Sequence, residues 1–327
     1  MEAREVERNV GLLEPPSDAS VGATGESVRP LSAWGPERAA VPAAIGAGAG
    51  TVHRGRDGTA IAAEGVPRAL VERLLADPEA VIRHGLDRPV KISHGSVLVE
   101  AELPLDGGKT RLAYKEYRPR GLRKAVCRLL RRSPARRDWA AARRLVALGI
   151  ATARPVLLVE PRRPRLLRRS YLATEWIAGS LNLHLWGWKL AELPLSDRLA
   201  RAARCAESLG RLIGRLHGRG VAHRDLKGAN LLVVDRGGRI ATWLVDVAGA
   251  RFVRRLSDRR RARDLARLAV GLEAHPWVGR TACCRFLRAY LRELPAPKAD
   301  WKTLWRDVAV ESRRLRAKML RRGEPLL

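Results

Sequence analysis

Four side chains, in one order, are of the types that phosphoryl transfer from a nucleotide requires. Asp225 and Asn230 sit in HRDLKGANLL (223–232) with D-x-x-x-x-N spacing. Lys115 lies upstream in the strand-like run TRLAYKEY (110–117). Asp246 ends the run ATWLVD (241–246), sixteen residues after Asn230. A strand lysine can grip the α- and β-phosphates. A loop aspartate can orient an acceptor hydroxyl and take its proton. An asparagine and a second aspartate can hold Mg²⁺ on the phosphates. The loop also has the surroundings this chemistry demands: a helix before it, then strand, turn and strand after it.

Those residues need elements to position them. Residues 1–65 are rich in Gly, Ala, Pro and Ser and show no sustained apolar period, so they read as mostly disordered. ALVERLLADPEAVIRHG (69–85) reads as a short amphipathic helix. PVKIS (89–93), SVLVEAEL (96–103) and TRLAYKEY read as strands, the last two joined by the Asp-Gly turn DGGK (106–109). Ser133-Pro134 starts a helix that stops at Gly149. Strands PVLLVE (155–160) and LLRRSYLATEWI (166–177) follow. The second half reads as mainly helical. Ser196 is placed to cap a helix with Leu199, Ala203, Ala206, Leu209, Ile213 and Leu216 on one face, ending at Gly218. Strands at 231–234 and 241–246 follow the loop, and 258–322 reads as helical and basic.

Composition bounds the partners. Of 63 basic residues against 34 acidic ones, only nine are lysine, and the formal charge is +29. Attraction to polyanions or an anionic surface is one reading; a codon bias that supplies Arg and Ala is the other. Either way, a lysine placed where chemistry wants one carries more information than an arginine. The four cysteines show no metal-ligand spacing and read as reduced core residues, consistent with a reducing compartment. The start of the chain has no apolar signal region and no stretch approaches a membrane span, so the expectation is a cytoplasmic protein that touches a membrane at most peripherally.

Over residues 85–310 the chain resembles the protein-kinase-like superfamily, with HRDLKGANLL carrying the likeness. The resemblance implies an α+β, bilobal fold. The N-terminal lobe (66–177) would be a small antiparallel sheet with one long helix, and the C-terminal lobe (178–327) larger and mainly helical. It implies that Asp225 is the catalytic aspartate, that Lys227 contacts the transferring phosphate, and that Asn230 and Asp246 hold the metal. It implies His223 and Arg224 as the loop's supporting pair. TEWIAG (174–179) matches the segment joining the lobes, with Glu175 and Ile177 offering backbone groups to adenine.

The departures are equally informative. No GxGxxG lies between the first strands; SHGSV (93–97) leaves Gly95 and Ser96 to offer N–H groups to phosphate. The metal motif reads DVAG (246–249). The inserted helix has no glutamate to pair with Lys115, so Asp138 is the expected partner, the alternative being an ordinary first-turn acid stabilised by the helix dipole. No APE-like segment follows Asp246, which points away from a peptide substrate.

YKEYRPRGLRKAV…SPARRDWAAARRLVALGIATARPVLLVE and VDVAGAR…RARDLARL are similar to the bacterial lipopolysaccharide core kinases that phosphorylate Kdo or heptose. This implies ATP and Mg²⁺ as cofactors, an anionic glycolipid or sugar acceptor, and Asp264 as a brace for the catalytic loop. Residues 118–137 hold nine basic residues and no acid; each would gain roughly 1 kcal/mol near an anionic membrane. An atypical protein Ser/Thr kinase and a catalytically inactive kinase-fold binding protein stay open. Nucleic acid is disfavoured, because no recognised reader motif is present. In NLHLWGWKLAELPLS (182–196), Trp186 and Trp188 read either as sugar-stacking or as core residues.

Overall fold

SVLVEAELPL buries Val97, Val99, Leu103 and Leu105 at alternate positions, which is the period of a strand with one covered face. In the computed structural model, which describes residues 50–87, 89–93, 95–118, 132–162, 169–275, 278–295 and 300–323, this run is β4 (Ser96–Leu105). It pairs with β3 (Pro89–Ser93) and β5 (Gly108–Tyr117). The β4–β5 hairpin closes through Gly107 and Gly108 at φ of 106° and 119°, a region L side chains rarely adopt.

The sheet has seven strands, all antiparallel to their neighbours, in the order β1-β2-β6-β7-β5-β4-β3. Here β1 is Thr51–Gly55, β2 Gly58–Ala62, β6 Pro155–Pro161 and β7 Ser170–Glu175. The first two strands correct the expectation that structure begins after residue 65. The hairpin turns at Arg56-Asp57 and places buried Ala60 and Ala62 beside β6, the third strand of the sheet. Its inward residues are alanines, so the alternation that marks a strand was masked by small side chains. Residues 1–49 of the segment expected to be disordered lie outside the described residues.

The single helix expected over 69–85 is two, α1 (Arg68–Ala76) and α2 (Glu79–Gly85). Pro78 excludes the helical conformation from Asp77, which sits at φ −139°, ψ 80°. The long helix, α3 (Pro134–Ala147), starts as expected: the Ser133 side chain accepts a hydrogen bond from Arg136 N, with Pro134 in the first turn. Gly149, at φ 71°, ends it.

The C-terminal lobe is built on α5 (Leu195–Gly218), preceded by α4 (Leu183–Ala191) and followed by α6 (Asp258–Leu272), α7 (Arg280–Arg292) and α8 (Trp301–Leu320). α5 begins one residue before Ser196, without a side-chain cap. Its buried stripe runs through Ala202, Cys205, Leu209, Leu212, Ile213 and Leu216, leaving Leu199 exposed. Gly210 and Gly214 let α7 approach closely, since a Cβ there would lie 2.4 Å from Phe286 O and 2.6 Å from Tyr290 O. Strands β10 (Leu231–Arg236) and β11 (Arg239–Leu244) pair with each other, and β10 also pairs with β8 (Ser180–Asn182). β9 (Val221–Ala222) pairs with β12 (Arg251–Phe252). An apolar cavity of about 150 Å³ lies among the helices, lined by residues including Leu190, Leu209, Leu268, Phe286 and Leu304. Cys205 is buried and Cys284 exposed, so the reading of all cysteines as core holds for the first and not the second; Cys127 lies outside the described residues. Among the described residues no helix is long and apolar enough to cross a membrane.

Candidate active site

The loop between β9 and β10 is held from below by α6. Asp264 accepts hydrogen bonds from His223 N at 2.7 Å and Arg224 N at 3.0 Å. This is the bracing expected of it. Two carboxylate bonds to consecutive N–H groups fix the loop while Arg224 takes φ 71°. His223 Nε2 lies 3.3 Å from Val245 O, next to Asp246. Val245 N donates to Asn230 O at 3.0 Å. The loop and the residue leading into Asp246 are therefore joined by one backbone bond and one from the His223 ring.

Four polar side chains converge there. Asn230 Nδ2 donates to Asp225 O at 2.9 Å and to Asp225 Oδ2 at 3.1 Å. Lys227 Nζ lies 3.1 Å from the same Asp225 oxygen. Asp246 sits at φ 57° and accepts from Lys115 Nζ at 2.9 Å. Among the described residues, Arg224 and Asp246 are the non-glycine residues with positive φ. Such strain gathers where surrounding structure over-determines a site. Burial pushes the Asp246 carboxyl up, but the charge and hydrogen bond of Lys115, with Lys91 and His223, outweigh it and hold it below the ordinary carboxylate range.

Asp138 is not the direct partner of Lys115. Its Oδ2 accepts from the Tyr117 hydroxyl and its Oδ1 accepts from Val247 N at 3.1 Å. The side chain is short and both oxygens are committed. Lys115 instead lies 4.7 Å from the Tyr117 ring centroid and turns its ammonium to Asp246. Asp138 is buried, which raises its carboxyl pKa, while the charge of Lys115 nearby opposes the rise. It ties α3 to the DVAG segment and to β5 at once.

The remaining expected residues lie around this centre. Gly95 O accepts from Arg118 N at 3.0 Å, and the Ser96 hydroxyl is 3.2 Å from Ser93 Oγ. The first bond ties the β3–β4 turn to the end of β5, and the second lies within the turn. The Glu175 side chain forms a buried ion pair with Arg154 at 3.0 Å and its N–H donates to Arg154 O at 2.8 Å, so neither is left for the expected role. Ile177 is buried, and its carbonyl accepts from Ser180 N at 3.2 Å. Trp186 is a core residue whose Nε1 donates to Asp235 at 3.3 Å. Trp188 is exposed and meets His275 edge-on.

Three residues escaped sequence reasoning. Tyr117 carries the link from Lys115 to Asp138, and nothing in its spacing announces that. Arg154 neutralises Glu175, and one arginine among 54 attracts no notice. Lys91 escaped as well, and its residue type, scarce in this chain, was the one cue to it.

A divalent cation fits the donors present. Asn230 has its amide nitrogen engaged by Asp225, leaving the oxygen, and Asp246 supplies a carboxylate. Among the described residues no cluster of three His, Cys, Asp or Glu side chains would hold a metal alone. Two hard oxygen ligands suit Mg²⁺, which takes its other ligands from phosphate and water.

A profile described as the lipopolysaccharide kinase (Kdo/WaaP) family matches residues 108–306, which include all four of the converging side chains and Lys115. The lipopolysaccharide core heptose(I) kinase WaaP of Pseudomonas aeruginosa is 35% identical over 91 residues, covering 28% of this chain and 33% of that protein. The match thus spans a third of that relative's length. A solved structure described as WaaP in complex with acyl carrier protein aligns with a TM-score of 0.52 and 24% identity, over 78% of this chain and 97% of that one. That likeness is one of fold.

Proposed function

The chain belongs to the lipopolysaccharide kinase (Kdo/WaaP) family, and on that premise we propose that it transfers the γ-phosphate of ATP to a sugar hydroxyl of a lipopolysaccharide-like glycolipid. The observation that carries the reading is a pair of adjoining clusters, Lys115 with Asp246 and Asp225 with Asn230 and Lys227, joined by the backbone bond from Val245 N to Asn230 O.

In this reading ATP binds between the lobes, with backbone groups of Glu175 and Ile177 at the adenine. Gly95 and Ser96 flank the phosphates from the β3–β4 turn. Lys115 exchanges its contact with Asp246 for the α- and β-phosphates, while Asp138, through Tyr117, keeps β5 and the DVAG segment in register. Asn230 and Asp246 would hold Mg²⁺, which would supply charge neutralisation on the phosphates. Asp225 orients the acceptor hydroxyl and takes its proton. Lys227, beside Asp225, neutralises charge on the group in transit. The acceptor oxygen attacks phosphorus as the bond to the ADP oxygen breaks.

An anionic acceptor suits the net charge of +29. An apolar cavity suits a hydrocarbon chain, which a glycolipid carries. Exposed Trp188, Trp301 and Trp305 on the helical lobe support peripheral contact with a membrane surface from the cytoplasmic side. The basic run at 119–131 lies outside the described residues and adds charge only.

The test is transfer from labelled ATP to lipid, polysaccharide and protein fractions, with the product identified by mass. Label in a glycolipid sugar supports the reading. Label in protein alone replaces it with a protein kinase. No transfer to any fraction, with ATP still bound, replaces it with an inactive kinase-fold binding protein.

A further inference from the structure

Lys91 has no role in the mechanism above, yet the sheet register brings it to the site. Lys91 lies opposite Leu98 on β4, and Leu98 lies opposite Lys115 on β5. Residues directly opposite one another in antiparallel strands project to the same face. Lys91 and Lys115 therefore share the cleft-facing side of the sheet, two strand spacings apart, or about 10 Å. A register shift between Pro89 and Lys91 sets this alignment; such irregularities re-aim a side chain.

The charges around the Lys91 ammonium are those of the site. Lys227, Asp246, Lys115 and Asp225 act on it, two repelling and two attracting. Partial desolvation contributes most to a lowered pKa, with Lys227 acting in the same direction. Among the described residues the Lys91 side chain makes no hydrogen bond or ion pair. Lys91 is exposed at this sheet edge, but the charges it meets are those of the site rather than one surface carboxylate. Lys91 contributes to a field of three ammonium groups, with Lys115 and Lys227, around two carboxylates. Without a ligand their mutual repulsion is unfavourable. A polyphosphate between them would turn that repulsion into attraction.

The turn below Lys91 lacks the glycines that elsewhere bring several backbone N–H groups onto a nucleotide's phosphates, and Gly95 and Ser96 are partly committed to the hairpin. We propose that Lys91 is a phosphate-binding residue that grips the outer phosphates of the nucleotide from β3, opposite Lys227, and takes over work that a glycine-rich loop would do. The inference rests on the ATP-dependent reading above and extends it to a residue outside the expected set. Lys115 holds the inner phosphates from the centre of the sheet, and Lys91 the outer ones from its edge.

The experiment is calorimetric titration of the full chain, wild type, Lys91→Met and Lys91→Arg, with ATP and with AMP in the presence of Mg²⁺. Lys91→Met is expected to weaken ATP binding about tenfold, as loss of one charge-assisted hydrogen bond does, and to leave AMP binding and the melting temperature unchanged. Lys91→Arg keeps the charge and recovers most of the ATP affinity. Unchanged ATP affinity in Lys91→Met, or an equal loss for AMP, overturns the inference while leaving the kinase reading intact. Wild-type protein that fails to bind ATP overturns both.

Discussion

The Lys115 ammonium lies 2.9 Å from Asp246 Oδ1, a contact between residues 131 apart in the chain. It joins the central strands of the small lobe to the DVAG segment of the helical lobe. The pair also explains the ionisation of Asp246. Burial alone would raise that carboxyl, and the nearby ammonium reverses the shift.

Lys115→Met removes this partner and one grip on the nucleotide together. The expected result is a fall in kcat/KM for ATP of at least about a hundredfold. The Asp246 carboxyl should rise toward its ordinary value, because the opposing burial remains. Steady-state kinetics and carboxyl titration by NMR check the two halves separately.

Asp225→Asn keeps the shape of a side chain that lies at the surface of the loop. Its bond from Asn230 has an oxygen acceptor in either form. Folding and ATP binding are therefore expected to stay intact while kcat falls by about 10²–10⁴, the range attributed to a positioned proton acceptor. ATP affinity by calorimetry, alongside turnover, distinguishes this from a general loss of structure.

Asp264→Ala is expected to damage stability and activity together. The buried carboxylate serves two consecutive N–H groups and lies 3.6 Å from His217 Nε2. Removing it leaves buried donors unsatisfied at about 1–3 kcal/mol each. Asp264→Asn retains one acceptor and should fall between the wild type and Asp264→Ala. Urea denaturation midpoints give the order.

Much of this was readable where the chemistry is local. HRDLKGANLL carries its own loop, and its helix and strands follow from period and turn signals. Asp264 was placed correctly because it sits in a helix of recognisable pattern. The failures are of three physical kinds. The 51–62 hairpin buries alanines, so its alternation carried too little contrast to register. Asp138 stands in the right helix, but whether its carboxylate meets Lys115 or Tyr117 depends on one methylene and on a backbone N–H from residue 247. The position of Lys91 depends on strand register, and a shift between Pro89 and Lys91 moves it. The segment 182–196 gave no clear signal because α4 is apolar nearly all round; its cap at Asn182, which accepts from His184 N and Leu185 N, was the available cue.

The histidines set a pH limit on the fold. Burial lowers the pKa of His184, His217 and His275 from the ordinary 6.5. For His184 the charge of Lys227 adds to the effect, and for His217 the neighbouring Asp264 opposes it. Below pH 6.5 the unfolded chain binds protons that the folded chain refuses. Stability is therefore fully present above pH 6.5 and is lost as pH falls toward the lowered folded values. The fully buried His217 contributes at most about 1.4 kcal/mol per pH unit to that slope. Asp264 is also lowered: burial raises it, but His217 and the two loop N–H groups prevail. Its contribution is lost only at pH values below the ordinary 3.8. Thermal melts should thus be level from pH 8 to 7 and decline steadily below about 6.5. The decline should be shallower in His184→Gln, which removes one of the three groups. A melting temperature independent of pH between 7 and 5 would show that the three rings bind protons equally well in the folded and unfolded chains.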